Sequence, residues 1–240
     1  MGKLALPHPA LCLITDTAVP DLVTKVEAAL SAGVNMVQLR GHQLQAIELY
    51  RLALALHPLC QRYQAAFIVN DRIDVGLAAG ADGFQLGTRS LPLAAVRLLV
   101  GEDYLLGASV HSCEQALAAA GEADFLLVGT IFSSSTHPGE PPGGTGLLHE
   151  IKQLLPTHPL LAVGGITSTN AGRAMQVGAD GIAVITAILS AANVEQAVSE
   201  LCAAINLDKI REEKKVESVY EQIRQSRCRH DHHHRKWPTS

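Results

Sequence analysis

Eight short apolar runs, each followed by a stretch with helical spacing, constrain the fold of this chain more than any other feature. The runs are residues 11–15, 36–40, 67–70, 83–87, 105–109, 125–130, 160–165 and 182–186. The helical stretches between them include 21–32, 45–63, 113–120 and 169–177. Near-continuous Val, Ile, Leu and Phe are typical of parallel strands covered on both faces. Eight such units predict a single-domain α/β fold, the (β/α)8 TIM barrel, in preference to an open doubly wound sheet.

The last two predicted strands end in residues that favour a bound phosphate. Gly164 and Gly165 end the seventh run, and Ile185 and Thr186 end the eighth. In barrels of this kind the usual phosphate site lies in the loops after strands seven and eight. Backbone N–H groups at such turns bind an anion without a cationic side chain. We therefore expect a phosphorylated ligand at these four residues.

Polar residues also follow the other strand-like runs, at the end of the barrel where active sites lie. They are Gln38, Arg40, His42, Asn70, Asp71, Gln85, Ser90, Ser109, His111, Ser134, Thr136 and His137. His111 is the best acid–base candidate, with a loop-ordering histidine as the alternative. Arg40 is expected to bind a carboxylate or phosphate, or else to close the barrel through a salt bridge. Asn70 and Asp71 either hold a substrate or metal or begin a helix.

Composition and the C-terminal region set further limits. A net charge of −4 gives no reason to expect nucleic acid. The five cysteines are Cys12, Cys60, Cys113, Cys202 and Cys228, and their odd number and wide spacing predict reduced thiols. No stretch is apolar enough to span a membrane and no leader is evident, so we expect a cytoplasmic protein. Such a protein can also form a homo-oligomer. We expect residues 1–207 to form the barrel and 208–240 a charged, His-rich tail, helical and then disordered.

Several of these motifs together resemble the thiamine phosphate synthase superfamily. They are Gln38-Leu39-Arg40, Val69-Asn70-Asp71-Arg72, Ala81-Asp82-Gly83, Gly107-Ala108-Ser109-Val110-His111, Gly164-Gly165-Ile166 and Ala179-Asp180-Gly181, in the family's order across residues 10–205. The resemblance implies one of two activities on one barrel. A synthase couples a pyrimidine diphosphate to a thiazole phosphate with Mg²⁺, whereas a tautomerase aromatises a thiazole carboxylate phosphate without metal.

Four positions depart from the synthase pattern. His42 and His137 stand where that pattern has lysines. Ser90 replaces a magnesium-binding aspartate, and Gln85 replaces a histidine on the pyrimidine side. Because departure of a diphosphate needs dense positive charge, these losses favour the tautomerase, although Asp71 matches the synthase better.

The resulting hypothesis is a thiazole tautomerase that needs no cofactor and binds a small phosphorylated thiazole. His111 would move the proton, assisted by Arg40. The substrate would contact Gln38, Asn70, Gln85, Ser109, Ser134 and Thr136, with its phosphate at Gly164, Gly165, Ile185 and Thr186. One alternative is a synthase that holds Mg²⁺ through Asp71 alone. Others are a non-catalytic thiazole-phosphate-binding regulator and another phosphate-binding barrel, such as an epimerase or aldolase.

Overall fold

Eight parallel strands close into a barrel in chain order, with the last strand hydrogen-bonded to the first. The computed structural model describes residues 5–133 and 142–206. The strands are β1 Ala10–Ile14, β2 Met36–Leu39, β3 Ala66–Asn70, β4 Gly83–Leu86, β5 Leu105–Val110, β6 Phe125–Val128, β7 Leu160–Val163 and β8 Gly181–Val184. The helices are α1 Leu22–Ala32, α2 Ala46–Arg62, α3 Ile73–Ala79, α4 Leu93–Val100, α5 Cys113–Ala119, α6 Gly144–Leu154, α7 Ala171–Gln176, α8 Thr186–Leu189 and α9 Val194–Ala204. The predicted (β/α)8 TIM barrel is confirmed.

The barrel interior is filled by alternate residues of the strands. Ala10, Cys12 and Ile14 of β1 belong to one buried cluster, which Ile68 of β3 and Leu127 of β6 also join. Because successive side chains of a strand point to opposite faces, the residues between them pack outward against the helices. Both faces are therefore apolar, which is why the strands read as continuous hydrophobic runs.

A repeated side-chain contact joins the strands in pairs at the opposite end of the barrel from the polar strand ends. Asn35, Asp82, Asp124 and Asp180 each lie directly before an even-numbered strand. Their side-chain oxygens accept hydrogen bonds of 2.8–2.9 Å from backbone N–H groups of the preceding odd-numbered strands. The donors are Leu11, Phe67, Leu106 and Leu160. The two similar Ala-Asp-Gly motifs thus supply two of four equivalent contacts that join neighbouring strands.

The described chain bears on three further predictions. Cys12, Cys60 and Cys202 are buried, Cys113 is partly exposed, and none of these four forms a disulfide. Burial raises the pKa of Cys12 to about 12. Within residues 5–133 and 142–206, no helix is long and apolar enough to cross a membrane. The compact barrel unit ends at Ile205, and the predicted boundary at 207 and tail at 208–240 lie outside the described residues.

Candidate active site

A cavity of about 420 Å³ opens where the strands end in polar residues. Its lining includes ten predicted residues, namely Gln38, Arg40, His42, Asn70, Asp71, Ser90, Ser109, His111, Gly164 and Gly165. The two residues of the predicted phosphate site that follow β8, Ile185 and Thr186, line it as well. Apolar residues such as Ile14 and Leu127 form its floor, where it meets the barrel core. One pocket therefore collects residues that lie far apart in sequence.

Arg40 is held in the pocket through its backbone by Thr15, which directly follows β1. The Thr15 hydroxyl accepts a hydrogen bond from the Arg40 N–H at 2.9 Å and donates one to the Arg40 carbonyl at 3.1 Å. Thr15 is fully buried, so its hydroxyl satisfies the Arg40 backbone where water cannot. The guanidinium extends to His42, where its Nε donates to Nε2 at 3.0 Å. Sequence analysis did not identify Thr15 as part of this site.

Asp71 lies at the centre of a hydrogen-bonded network that spans three strand ends. The Gln38 side-chain amide donates to Asn70 Oδ1 at 2.9 Å, and Asn70 Nδ2 donates to Asp71 Oδ2 at 2.7 Å. The Ser90 hydroxyl donates to Asp71 Oδ1 and accepts a 2.6 Å hydrogen bond from the Gly87 N–H. Asp71 has a left-handed backbone, with φ 59°. Both oxygens of this carboxylate therefore have protein donors.

His42 lies between the pocket's positive groups and Asp71. Since Arg40 donates to His42 Nε2, that nitrogen is an acceptor and the ring proton is on Nδ1, 4.0 Å from Asp71 Oδ2. Burial, followed by the positive charge of Arg40, lowers the pKa of His42; Asp71 opposes this shift and Arg89 adds to it. Arg89, exposed in the turn after β4, lines the same cavity.

One ring nitrogen of His111 contacts the protein, and the other has no hydrogen-bond partner within the described residues. Its Nδ1 contacts the Gly129 carbonyl oxygen, which can only accept, so Nδ1 carries the proton. In the neutral ring Nε2 is then an acceptor. The backbone N–H of His111 donates to Gln115 Oε1 at 2.8 Å, which ties the strand end to α5. This arrangement gives the cavity a hydrogen-bond acceptor from an oriented imidazole.

Gln85 lies behind the pocket and not in its lining. It is 1% exposed and donates to Ser109 Oγ at 3.0 Å, while its own Oε1 has no partner within the described residues. Ser109 lines the cavity. Because its oxygen accepts from Gln85, its hydroxyl hydrogen remains available to a ligand. The structure thus places Gln85 as a support for Ser109.

The turn after β7 needs glycine for steric reasons. Gly164 and Gly165 have φ values of 94° and 62°, in the left-handed region that glycine adopts readily. A Cβ on Gly164 would lie 2.5 Å from Thr130 Cγ2, and one on Gly165 would lie 2.7 Å from the Phe132 carbonyl oxygen. The turn therefore packs directly on the segment after β6. This packing brings its backbone to the cavity wall.

The residues predicted from the sequence and those found at the site differ in two ways. Ser134, Thr136 and His137 lie outside the described residues. The structure adds Thr15 and Arg89, which sequence analysis missed. A cation in the turn after a strand, three residues beyond its end, was the available signal for Arg89. Thr15 offers no such signal, because threonine is common in strands.

Comparison with known proteins identifies the family. The model of the family described as thiamine monophosphate synthase matches residues 11–188. The chain is 43% identical to thiamine-phosphate synthase of Chlorobium limicola, covering 80% of this chain and 92% of the relative. It is 41% identical to that of Methanospirillum hungatei, covering 78% and 93%. Its fold matches thiamine phosphate pyrophosphorylase from Pyrococcus furiosus with a TM-score of 0.76 and 35% identity, covering 82% and 95%.

These relatives correct the functional prediction. The thiazole tautomerase hypothesis, and with it the isomerase class, is wrong, because relatives 36% to 44% identical are thiamine-phosphate synthases. That hypothesis rested on missing lysines and a missing aspartate, and it overlooked the guanidinium of Arg89 in the same pocket. The chain is similar over most of its length to enzymes of thiamine biosynthesis. It belongs to the thiamine monophosphate synthase family.

Proposed function

We propose that this protein is a transferase that joins a pyrimidine diphosphate to a thiazole phosphate to form thiamine phosphate. The carrying observation is a single cavity with two regions suited to anions. The glycine turn follows β7, whereas Arg89 follows β4, three strands away around the ring. Arg40, after β2, also lines the cavity. Two such regions favour a reaction with two phosphorylated substrates over a reaction with one.

In this reaction the thiazole nitrogen attacks the methylene carbon attached to the pyrimidine. A C–N bond forms, the C–O bond to the diphosphate breaks, and the bonding electrons leave with the diphosphate. The protein's part is to align the two reactants and to stabilise the negative charge that develops on the leaving oxygens. Arg40 and Arg89 supply positive charge there, Gly164 and Gly165 bind the thiazole phosphate, and Ser109 and His111 orient a ring.

Membership of the family implies Mg²⁺. Whether this chain could hold the ion depends on the oxygen atoms that line the cavity. Asp71 is the sole carboxylate among the described lining residues, and both of its oxygens accept hydrogen bonds from protein groups. The described residues contain no group of three or more His, Cys, Asp or Glu side chains placed to hold a metal. Mg²⁺ prefers oxygen ligands in octahedral array. These residues do not fit a metal site formed by the protein alone, so the mechanism assigns it no step.

The test is direct formation of thiamine phosphate from the two phosphorylated precursors, followed by mass spectrometry. We expect product with the wild-type protein and a reduction of about tenfold or more in kcat/KM with Arg40→Gln, which loses charge-assisted hydrogen bonds. Arg51→Gln is the matched control, because Arg51 is exposed on α2 and outside the cavity. Binding of thiazole phosphate without product would contradict the proposal and support a non-catalytic barrel. The cytoplasmic location and the homo-oligomer remain predictions.

A further inference from the structure

The turn 88–90, which follows β4, contributes to the charge of the pocket beside Asp71. Thr88, Arg89 and Ser90 all line the cavity. Ser90 carries no charge, and its hydroxyl is committed to Asp71 Oδ1 and to the Gly87 N–H. Arg89 adds a positive charge close enough to lower the pKa of His42. The turn therefore contributes a cation and a neutral donor.

The two guanidiniums of this region have no carboxylate partner within the described residues. Neither Arg40 nor Arg89 forms an ion pair there. Asp71, the nearby carboxylate, accepts instead from the neutral donors Ser90 and Asn70. Among the described residues, two positive charges face one negative charge on this side of the cavity. Guanidinium groups bind phosphate oxygens through paired N–H donors.

We propose that turn 88–90 allows the diphosphate site of this protein to bind its anion through arginine side chains without a metal ion. Arg89 is then a specificity-determining residue, and the Ser90 hydroxyl keeps the Asp71 carboxylate from binding a metal. The inference rests on the proposed function for the identity of the anion. Arg89 and Arg40 bind the diphosphate oxygens directly. The Ser90 hydroxyl keeps the Asp71 carboxylate hydrogen-bonded to the protein, so a metal ion would have to compete with this donor for the same oxygen.

Inorganic pyrophosphate tests this site without catalysis. Its binding to the full chain is measured by titration calorimetry, once in EDTA and once in excess Mg²⁺. We expect binding in EDTA, and Arg89→Gln to raise the Kd in EDTA by about tenfold or more, as expected for losing a charge-assisted hydrogen bond. Arg51→Gln, which removes an exposed guanidinium from α2, should leave that Kd unchanged.

A carboxylate introduced at position 90 tests the proposed role of Ser90. Ser90→Asp places two carboxylates side by side, so it should abolish pyrophosphate binding in EDTA and restore it with Mg²⁺. In Ser90→Asn the new side chain has the size of aspartate without its charge, so this variant should still bind pyrophosphate in EDTA. Electron paramagnetic resonance of Mn²⁺ gives a second readout. Without pyrophosphate we expect the ion to bind Ser90→Asp more tightly than the wild type.

The outcomes separate this inference from the proposed function. Wild-type binding of pyrophosphate only when Mg²⁺ is present would overturn the inference, even if thiamine phosphate were formed. An unchanged Kd in Arg89→Gln would overturn it too. Binding in EDTA that depends on Arg89 supports it, and that result holds whether or not the coupling assay detects product.

Discussion

At the scale of one residue, Gln85 is a buried polar side chain that orients a neighbouring hydroxyl, that of Ser109. Its amide donates to Ser109, but its Oε1 is buried without a partner in the described chain. An unpaired buried oxygen costs about 1–3 kcal/mol. The same amide determines the direction in which the Ser109 hydroxyl can donate. Gln85 is thus expected to decrease stability while it positions Ser109, which lines the cavity.

Gln85→Met should separate these two effects. Methionine keeps a similar volume and removes the unpaired oxygen, so the free energy of unfolding in urea should stay the same or rise by up to about 1 kcal/mol. The kcat/KM should fall severalfold because Ser109 loses its support.

The control is a double-mutant cycle with Ser109→Ala. If Gln85 acts through Ser109, Gln85→Met in the Ser109→Ala background has no further effect on kcat/KM. Additive losses would contradict a positioning role.

At the scale of elements, the connections on the two ends of the barrel have different chemistry. The turn after β7 requires left-handed glycine and packs on the segment after β6. At the other end, Asp82 and Asp180 join the strands through backbone N–H groups. The first kind of connection shapes the cavity, and the second holds neighbouring strands in register.

Gly165→Ala is expected to damage both stability and ligand binding. Its φ of 62° disfavours a Cβ, and that Cβ would meet the Phe132 carbonyl oxygen. We expect a loss of more than about 1 kcal/mol in urea denaturation. Gly146→Ala is the matched control, since it lies in α6 with open space around its Cβ and should stabilise by about 0.5–1 kcal/mol. Equal effects at the two sites would count against the steric account.

Asp82→Ala should destabilise the barrel by about 1–3 kcal/mol, because the Phe67 N–H loses its acceptor. Asp82→Asn keeps an acceptor oxygen and should recover most of that loss. Thermal and urea denaturation of the two variants measure the difference. If Asn is no better than Ala, the hydrogen bond to Phe67 is not what matters.

At the scale of the whole molecule, partly buried histidines link folding to pH. His158 lies between α6 and β7, with Nε2 buried and unpartnered in the described chain. Burial is the main reason its pKa lies below the usual 6.5; Lys152 lowers it further, while Asp124 and Asp180 oppose the shift. The unfolded chain therefore takes up this proton at a higher pH than the folded one.

The free energy of unfolding should consequently decrease as pH falls below 6.5 toward the lower pKa of the folded state. His158→Leu should reduce this dependence, leaving the share contributed by His42, whose pKa is shifted in the same direction. His149→Leu, at an exposed position of α6, is the control. Urea denaturation between pH 7 and 5 measures all three proteins. An unaltered pH slope in His158→Leu would contradict the assignment.

The barrel and most of the candidate site were predictable from local patterns. Eight apolar runs with helices between them indicate strands buried on both faces, and residues directly after parallel strands meet at one end of a barrel. Arg40, Asn70 and His111 could be placed in one site on that basis. Six of the eight predicted strands extend one or two residues too far, because the residues directly after those strands leave the sheet and most of them line the cavity. The third strand ends as predicted, and the fifth runs one residue further than predicted.

The sequence by itself determined the fold class, the family resemblance and the end of the barrel where the polar residues meet, because these follow from periodicity and order along the chain. Only the tertiary structure decided what the polar residues do to one another. It placed Gln85 behind Ser109, engaged Asp71 with Ser90 and Asn70, and brought Arg89 into the cavity. Hydrogen bonds and charge balance depend on distances between residues far apart in sequence, so no local pattern contains them.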